Sequence, residues 1–303
     1  MKLEIPKKYR AYLRVGTCSW KYDSWKGLLY DDGTNYHRDD YLVDYSKHLE
    51  TVEVDQWFWS LFPTGVKLPE RKTVETYASS VPSEFVFSIK APNAITLTNF
   101  YAKQPARHKE FANVPNDGFL SVELLEQFLE TLEPLKSRLG PVMFQFEYLN
   151  KKKMPSRDAF LEQLGAFFDK APKGYKYAVE SRNPNYLSKP YFDFLRGRKL
   201  AHVFLDGYYM PPIGEVAVKN DTQTADCSIV RLHGPNRKDI EAQTNSIWNR
   251  VVAPQDAGIL SAVDIVKRNT EKLITTYINV NNHYEGSAPL TIERFLDALK
   301  KAG

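Results

Sequence analysis

The chain has 303 residues, 43% of them hydrophobic, and a net charge of +4 from 41 Lys and Arg against 37 Asp and Glu. A chain of this size buries a core without a metal or disulfide staple, and its two cysteines, Cys18 and Cys227, exclude a disulfide scaffold. The charge is far from the footprint of a dedicated nucleic-acid binder, no run approaches the ~18 apolar residues of a membrane span, and Met1–Tyr12 lacks the apolar core of a signal peptide, so a cytoplasmic protein is expected.

No internal repeat, low-complexity tract or Gly/Ser linker marks a boundary, and residues 1–303 read as one domain with its core at about 13–299. In chain order, a strand is expected at Arg14–Ser19, then a long loop to Arg38 and an amphipathic helix at Asp39–His48. A strand at Thr51–Asp55 precedes a helix at Glu70–Ser79, just after Pro69. A strand at Phe85–Lys90 precedes the long loop Ala91–Leu120. The next helix starts at Ser121 and carries Leu125, Phe128, Leu129, Leu132 and Leu135 at helical spacing. Leu139–Pro141 then reads as a short connection to a strand at Val142–Glu147, and Ser156 starts a helix that runs to Asp169. Strands at Tyr177–Arg182 and Ala201–Asp206 flank a short helix at Lys189–Arg196. The segment Gly207–Asp226 shows no helical pattern and holds Pro211, Pro212 and Gly214, so the sixth helix is expected to be short or missing. A strand at Ser228–His233, helices at Asp239–Arg250 and Leu260–Ile274 split at Pro254 and Gly258, a strand at Thr276–Asn281 and a helix at Thr291–Lys300 complete the series. Strand then helix, eight times over ~300 residues, is the pattern of a single α/β (β/α)8 TIM-like barrel.

Alternation within the strands assigns their faces. Val52 and Val54, Phe87 and Ile89, Val179, Val230 and Leu232, Ile278 and Val280 pack outward on the helices. The opposite faces carry Glu53 and Asp55, Ser88 and Lys90, Glu180 and Arg182, Arg231 and His233, Asn279 and Asn281. Strand four adds Gln145 with Glu147, and strand six adds His202 with Asp206. The polar residues crowd the C-terminal strand ends, where barrel enzymes place their active sites, and the long loops fall at that end too.

Several of these strand ends carry a resemblance. Gly16-Thr-Cys-Ser-Trp20 with Trp25, Gly27 and Tyr30 is similar to the opening motif of the YecE-like family, domain of unknown function 72 (DUF72). Similar in order are Thr51-Val-Glu-Val54 with Phe58 and Pro63, Phe87-Ser-Ile-Lys90, Leu139 to Gln145, Val179-Glu180-Ser-Arg182, Val230-Arg231-Leu-His233 and Asn281-Asn282-His283. The likeness runs from about Leu13 to Leu299 and implies a TIM-barrel-like fold, but it implies no activity. Cys18 departs from the small serine common at its position, and Glu147 stands where a proline is frequent.

The candidate site is therefore Glu53, Lys90, Gln145, Glu180, Arg182, Asp206, Arg231, His233 and Asn281. Three acids and three bases also fit a buried ion-pair network that does no chemistry. Read as a site, the set makes first a pocket for a small anionic substrate, phosphate or carboxylate, with no cofactor. Arg182 and Arg231 offer planar forks and Lys90 a point charge, while Gln145, Asn281, Asp206 and Trp20 orient the ligand. Glu180 or Glu53 serves as general base and His233 as general acid. Lys90, desolvated beside two arginines, would also have a lowered pKa and could attack a carbonyl. The second reading is a divalent-metal site of Glu53, Glu180, Asp206 and His233, for endonuclease-like chemistry on nucleic acid or sugar-isomerase-like chemistry; Lys90, Arg182 and Arg231 would oppose it. The third is a non-catalytic binding protein, with every charge paired internally and its aromatics exposed. Trp20, Tyr22, Trp25 and Tyr30, with Trp57, Phe58, Trp59 and Phe62, read as a satellite core under two loops, Trp20 being the expected exception. Cys18, with no histidine near it in sequence, reads as structural.

Overall fold

Strands that face helices on one side and a barrel interior on the other need apolar residues outward and small or paired residues inward. The structure, a computed structural model describing residues 1, 3–37 and 40–303, meets that requirement with eight parallel strands in one closed barrel. They are β1 (Leu13–Cys18), β2 (Thr51–Val54), β3 (Val86–Lys90), β4 (Leu139–Gln145), β5 (Tyr177–Glu180), β6 (Ala201–Gly207), β7 (Cys227–Gly234) and β8 (Thr275–Val280). Each pairs with its neighbours in sequence, and β1 closes on β8 with Leu13 opposite Thr276 and Thr17 opposite Val280. A helix follows each strand: Asp40–Tyr45, Arg71–Ser79, Val122–Thr131, Arg157–Lys170, Lys189–Gly197, Ile213–Lys219, Asp256–Glu271 with Arg237–Thr244 before it, and Ala288–Ala302. The serine start signals act as expected: Ser121 Oγ accepts from the Leu124 amide and Ser156 Oγ from the Ala159 amide, each at 3.1 Å. The first expected helix begins at Asp39, and its preceding loop ends at Arg38; both residues lie outside the described ones.

The outer strand faces join the main core under the helices, while Met143, Ala178, Ala201, Val203, Cys227, Ile229 and Tyr277 fill the lower barrel interior. That interior plug leaves only the C-terminal half of the barrel for polar side chains. None of the helices among the described residues is long and apolar enough to cross a membrane.

Three details differ from the sequence reading. Strand β4 starts at Leu139, so the expected connection Leu139–Pro141 is part of it. Its register against β3 shifts between Phe87 and Ile89, which accommodates Pro141, a residue that cannot donate to the ladder. Gly140 is required in the same bulge, because a Cβ there would come within 2.8 Å of Val86 Cγ1. The sixth helix is short, as expected: seven residues at Ile213–Lys219, with Pro212 immediately before it and Ile213, Val216 and Ala217 buried. Gly258 does not break a helix but lies inside Asp256–Glu271, at a close approach to Asp206 and Tyr284. Finally, the faces of β6 are reversed. Val203 pairs with Ile229 and Leu205 with Arg231, so Val203 and Leu205 share the inward face, and His202, Phe204 and Asp206 point out toward the helices.

Candidate functional site

The centre of the site is Arg231 on β7, which reaches the barrel axis with 1% of its surface exposed. Its Nε donates to Glu53 Oε2 at 2.8 Å and its Nη2 to Glu53 Oε1 at 2.6 Å, a bidentate ion pair across the barrel. Its Nη1 donates to Glu180 Oε2 and, at 3.1 Å, to Gln145 Oε1. Glu180 Oε1 accepts from Arg182 Nε at 2.9 Å, and Glu53 Oε2 also accepts from Asn279 Nδ2 at 3.1 Å. Both glutamates are fully buried. Burial alone would raise the Glu180 pKa, but Arg231, Arg182 and Lys90 outweigh it and hold the carboxyl below its ordinary value. Arg231 thus has four of its five N–H groups engaged by protein, which corrects the expectation that it grips a ligand: it holds two buried carboxylates in place.

Two cations at the mouth are differently placed. Arg182, just past β5, keeps a quarter of its side chain exposed, and among the described residues only its Nε is in an ion pair. Its guanidinium lies over the Tyr208 ring, 4.7 Å from the centroid. Lys90, at the end of β3, is 8% exposed and makes no ion pair or hydrogen bond among the described residues; its Nζ lies 4.0 Å above the Phe58 ring. Burial and the charge of Arg231 push its pKa down to about 8 against the pull of Glu53, Asp55 and Glu180. Burial in turn raises the carboxyl of Asp55, at the end of β2, despite nearby Lys90.

Cys18 ends β1 on the inward face, and His233 ends β7 on the same face. Their Sγ and Nε2 atoms are 3.6 Å apart, while His233 Nδ1 faces the Tyr208 hydroxyl at 3.4 Å. Burial, Arg231, Arg182 and Lys90 hold the His233 ring well below its ordinary pKa, against the general-acid role expected from sequence. Burial and Glu53 push the Cys18 thiol up.

The structure thus brings together Glu53, Lys90, Gln145, Glu180, Arg182, Arg231 and His233, and separates three other expected residues from them. Asp206 points outward and accepts a hydrogen bond from the Tyr284 hydroxyl at 2.7 Å, which removes it from any metal set with Glu53 and Glu180. Asn281 bonds the backbone and ring of His283, which in turn reaches Glu241 at 3.2 Å. Trp20 is 1% exposed and packs edge-on against Tyr77, so it lies in the main core with Trp25 and Trp57, not in a separate satellite core. The aromatic exceptions are Trp59, 59% exposed and beside Tyr101, and Phe62, 42% exposed. Sequence reasoning missed Cys18, Asn279 and Tyr208 as site members. Alternation had already placed Asn279 inward, and carried through β1 it would have placed Cys18 there as well. No local signal marks Tyr208, which the loop after β6 delivers.

A groove of about 770 Å³ at the opposite end of the barrel is lined by the starts of β5 and β7. Four of its five charged residues are already paired, Lys176 with Asp226 at 3.3 Å and Arg196 with Asp221 at 2.8 Å, so the mouth is the stronger candidate.

The sequence model of a family described as "Protein of unknown function DUF72" matches residues 14–303. No curated protein matches the chain. Among solved structures, a DUF72 family protein from Thermotoga maritima is similar, with 21% identity, a TM-score of 0.65 and 95% of this chain and 99% of that chain covered. A DUF72 family protein from Enterococcus faecalis is similar at 19% identity and TM-score 0.64, covering 95% of each chain. A D-tagatose 3-epimerase-like protein shares the barrel at 12% identity and TM-score 0.50, over 86% of this chain and 94% of that one. At these identities the likeness extends to the fold alone.

Proposed function

We propose that this chain, which belongs to the DUF72 family, is an enzyme that binds a small anionic substrate, a phosphate ester or carboxylate, at its barrel mouth and moves a proton there. The observation that carries this reading is an asymmetry of pairing. Arg231 is saturated by two carboxylates, whereas Lys90 has no polar partner among the described residues and Arg182 engages only its Nε. A purely structural ion network, or a non-catalytic mouth with every charge paired, would leave neither cation free.

In this reading Arg182 supplies the planar fork for the anion. Lys90 adds a second charge and a loosely held proton, its pKa of about 8 lying close to neutral working conditions. Glu53 and Glu180 are occupied by Arg231, so neither is the general base expected from sequence. His233, held below its ordinary pKa by burial and the nearby cations, meets the Tyr208 hydroxyl through Nδ1 at 3.4 Å.

The test is calorimetric titration against a panel of phosphate esters and carboxylates, followed by product analysis for each compound that binds. Arg182→Met should weaken binding by roughly 10- to 100-fold with no loss of folded structure, the scale of one charge-assisted hydrogen bond. If no compound binds the wild type, or the variant binds as tightly, the reading fails.

A further inference from the structure

We propose that Cys18, His233 and Glu53 form a zinc site at the top of the barrel. All three are buried, and one ligand atom from each lies within 4.8 Å of the other two. The separation of sulfur and nitrogen is itself informative. Zn–S of about 2.3 Å and Zn–N of about 2.0–2.1 Å at a tetrahedral angle set the two atoms about 3.5–3.6 Å apart. Cys18 Sγ and His233 Nε2 are 3.6 Å apart. Glu53 completes the set: its Oε1 accepts one hydrogen bond from Arg231 and keeps a second lone pair.

Each ligand also has the supporting contact that metal sites employ. A ring proton on Nδ1 finds an acceptor in the Tyr208 hydroxyl oxygen at 3.4 Å, and Nε2 then turns its lone pair to the site. Arg231 and Asn279 fix the Glu53 carboxylate. Strand β1 fixes Cys18, opposite Glu53 in the β1–β2 register. A thiolate, an imidazole and one carboxylate suit zinc rather than magnesium or calcium, and leave a fourth tetrahedral position for water or an oxygen donor. Binding breaks the S–H bond and forms Zn–S, releasing one proton to solvent; nothing is oxidised or reduced. The opposing charges are Arg231, Arg182 and Lys90. Arg231 is offset by Glu53 and Glu180, Arg182 by Glu180, and the new thiolate adds a further negative charge. The proposal is independent of the anion reading, since it requires neither Arg182 nor a substrate.

The experiment uses the full chain purified without a metal-affinity tag and stripped with chelator. It is titrated with Zn²⁺ against a chromogenic competitor and with Co²⁺ by absorption, before and after refolding in the presence of metal. The expected result is one equivalent of metal and a thiolate-to-cobalt charge-transfer band. Cys18→Ser and Cys18→Ala should abolish the band and weaken zinc by more than 100-fold, and Tyr208→Phe should weaken it by about 10- to 100-fold. Unchanged circular dichroism establishes that the variants fold. Absence of the band in refolded wild type, or zinc affinity in both Cys18 variants within about threefold of wild type, overturns the proposal.

Discussion

Replacing Arg231 with Met tests whether one buried cation holds the barrel top together. Arg231 is 1% exposed and Glu53 and Glu180 are fully buried, so methionine leaves two carboxylates and the Gln145 carbonyl without their donor. Removing one partner of a buried ion pair costs about 3–5 kcal/mol. Arg231 serves two carboxylates, so the upper end applies. At roughly 2.1 cal/mol/K per residue, a 303-residue chain has an unfolding entropy near 0.6 kcal/mol/K, and about 5 kcal/mol lowers Tm by about 8 °C. The loss should depend on pH. In the wild type the Glu180 pKa is held below its unfolded value near 4.5, so its contribution is complete above that value and disappears as pH falls through the folded pKa. In the variant, burial without the cation raises the folded pKa instead. That carboxyl then takes up a proton in the folded state, and the deficit against wild type shrinks as pH falls from 7 toward 5. Differential scanning calorimetry at pH 5, 6, 7 and 8 reads both effects. A variant that melts within about 1 °C of wild type at pH 7, or whose deficit does not change with pH, would refute the ion-network argument.

Two further substitutions probe the other buried ionisable groups. Lys90→Met should raise Tm at pH 7 by an amount corresponding to at most about 3 kcal/mol, because a lysine held at about 8 instead of 10.5 penalises the folded state wherever it is protonated. The unfolded chain binds the extra proton between those values, so wild-type stability should rise from pH 8 to about pH 10.5, and thermal melts of Lys90→Met should lack that rise. Anion affinity should fall in the wild type as pH passes 8, and calorimetric titration of Lys90→Arg should show it persisting to higher pH. His202 is the apolar counterpart. Both ring nitrogens lack a partner among the described residues, and the ring packs against Phe192 at 5.0 Å and Phe204 at 4.7 Å, centroid to centroid. His202→Phe should therefore stabilise the protein by about 1–2 kcal/mol at pH 7 in urea unfolding. Burial holds His202 at about 3 against 6.5, so the wild type loses stability as pH falls through 6.5 and the variant's advantage should grow there; an unchanged acid limb would contradict this.

The barrel was legible because its signal is distributed: eight apolar segments, each with a helical pattern after it, survive errors of one or two residues at every end. Facing was legible where a strand mixes charged and apolar residues. Glu53, Glu180, Arg231 and Gln145 meet on the axis as alternation requires. It failed on β6, where His202 and Asp206 imitated an inward polar face while Val203 and Leu205 were the residues pointing in. Polarity misled there because an outward Asp206 is satisfied by Tyr284, and His202 is simply left neutral among aromatics. Pairing across the barrel was not legible at all. Cys18 and His233 are 215 positions apart and meet because β1 and β7 both present their last inward residue at the same height.

That distinction between facing and pairing separates the roles of the charged residues. From sequence, Arg182, Arg231 and Lys90 are three equivalent cations at strand ends. In the folded barrel, Arg231 lies deepest and takes both glutamates, since a guanidinium on the axis cannot remain uncompensated. With the two acids committed, Lys90 and the outer nitrogens of Arg182 keep unused donors at the mouth, and the thiol and imidazole above Glu53 keep soft lone pairs. The network that stabilises the barrel top therefore also determines which groups remain available for a ligand. For that reason Arg231→Met should lower Tm by about 8 °C along with any loss of anion binding, whereas Arg182→Met should weaken binding by roughly 10- to 100-fold with the stability unchanged.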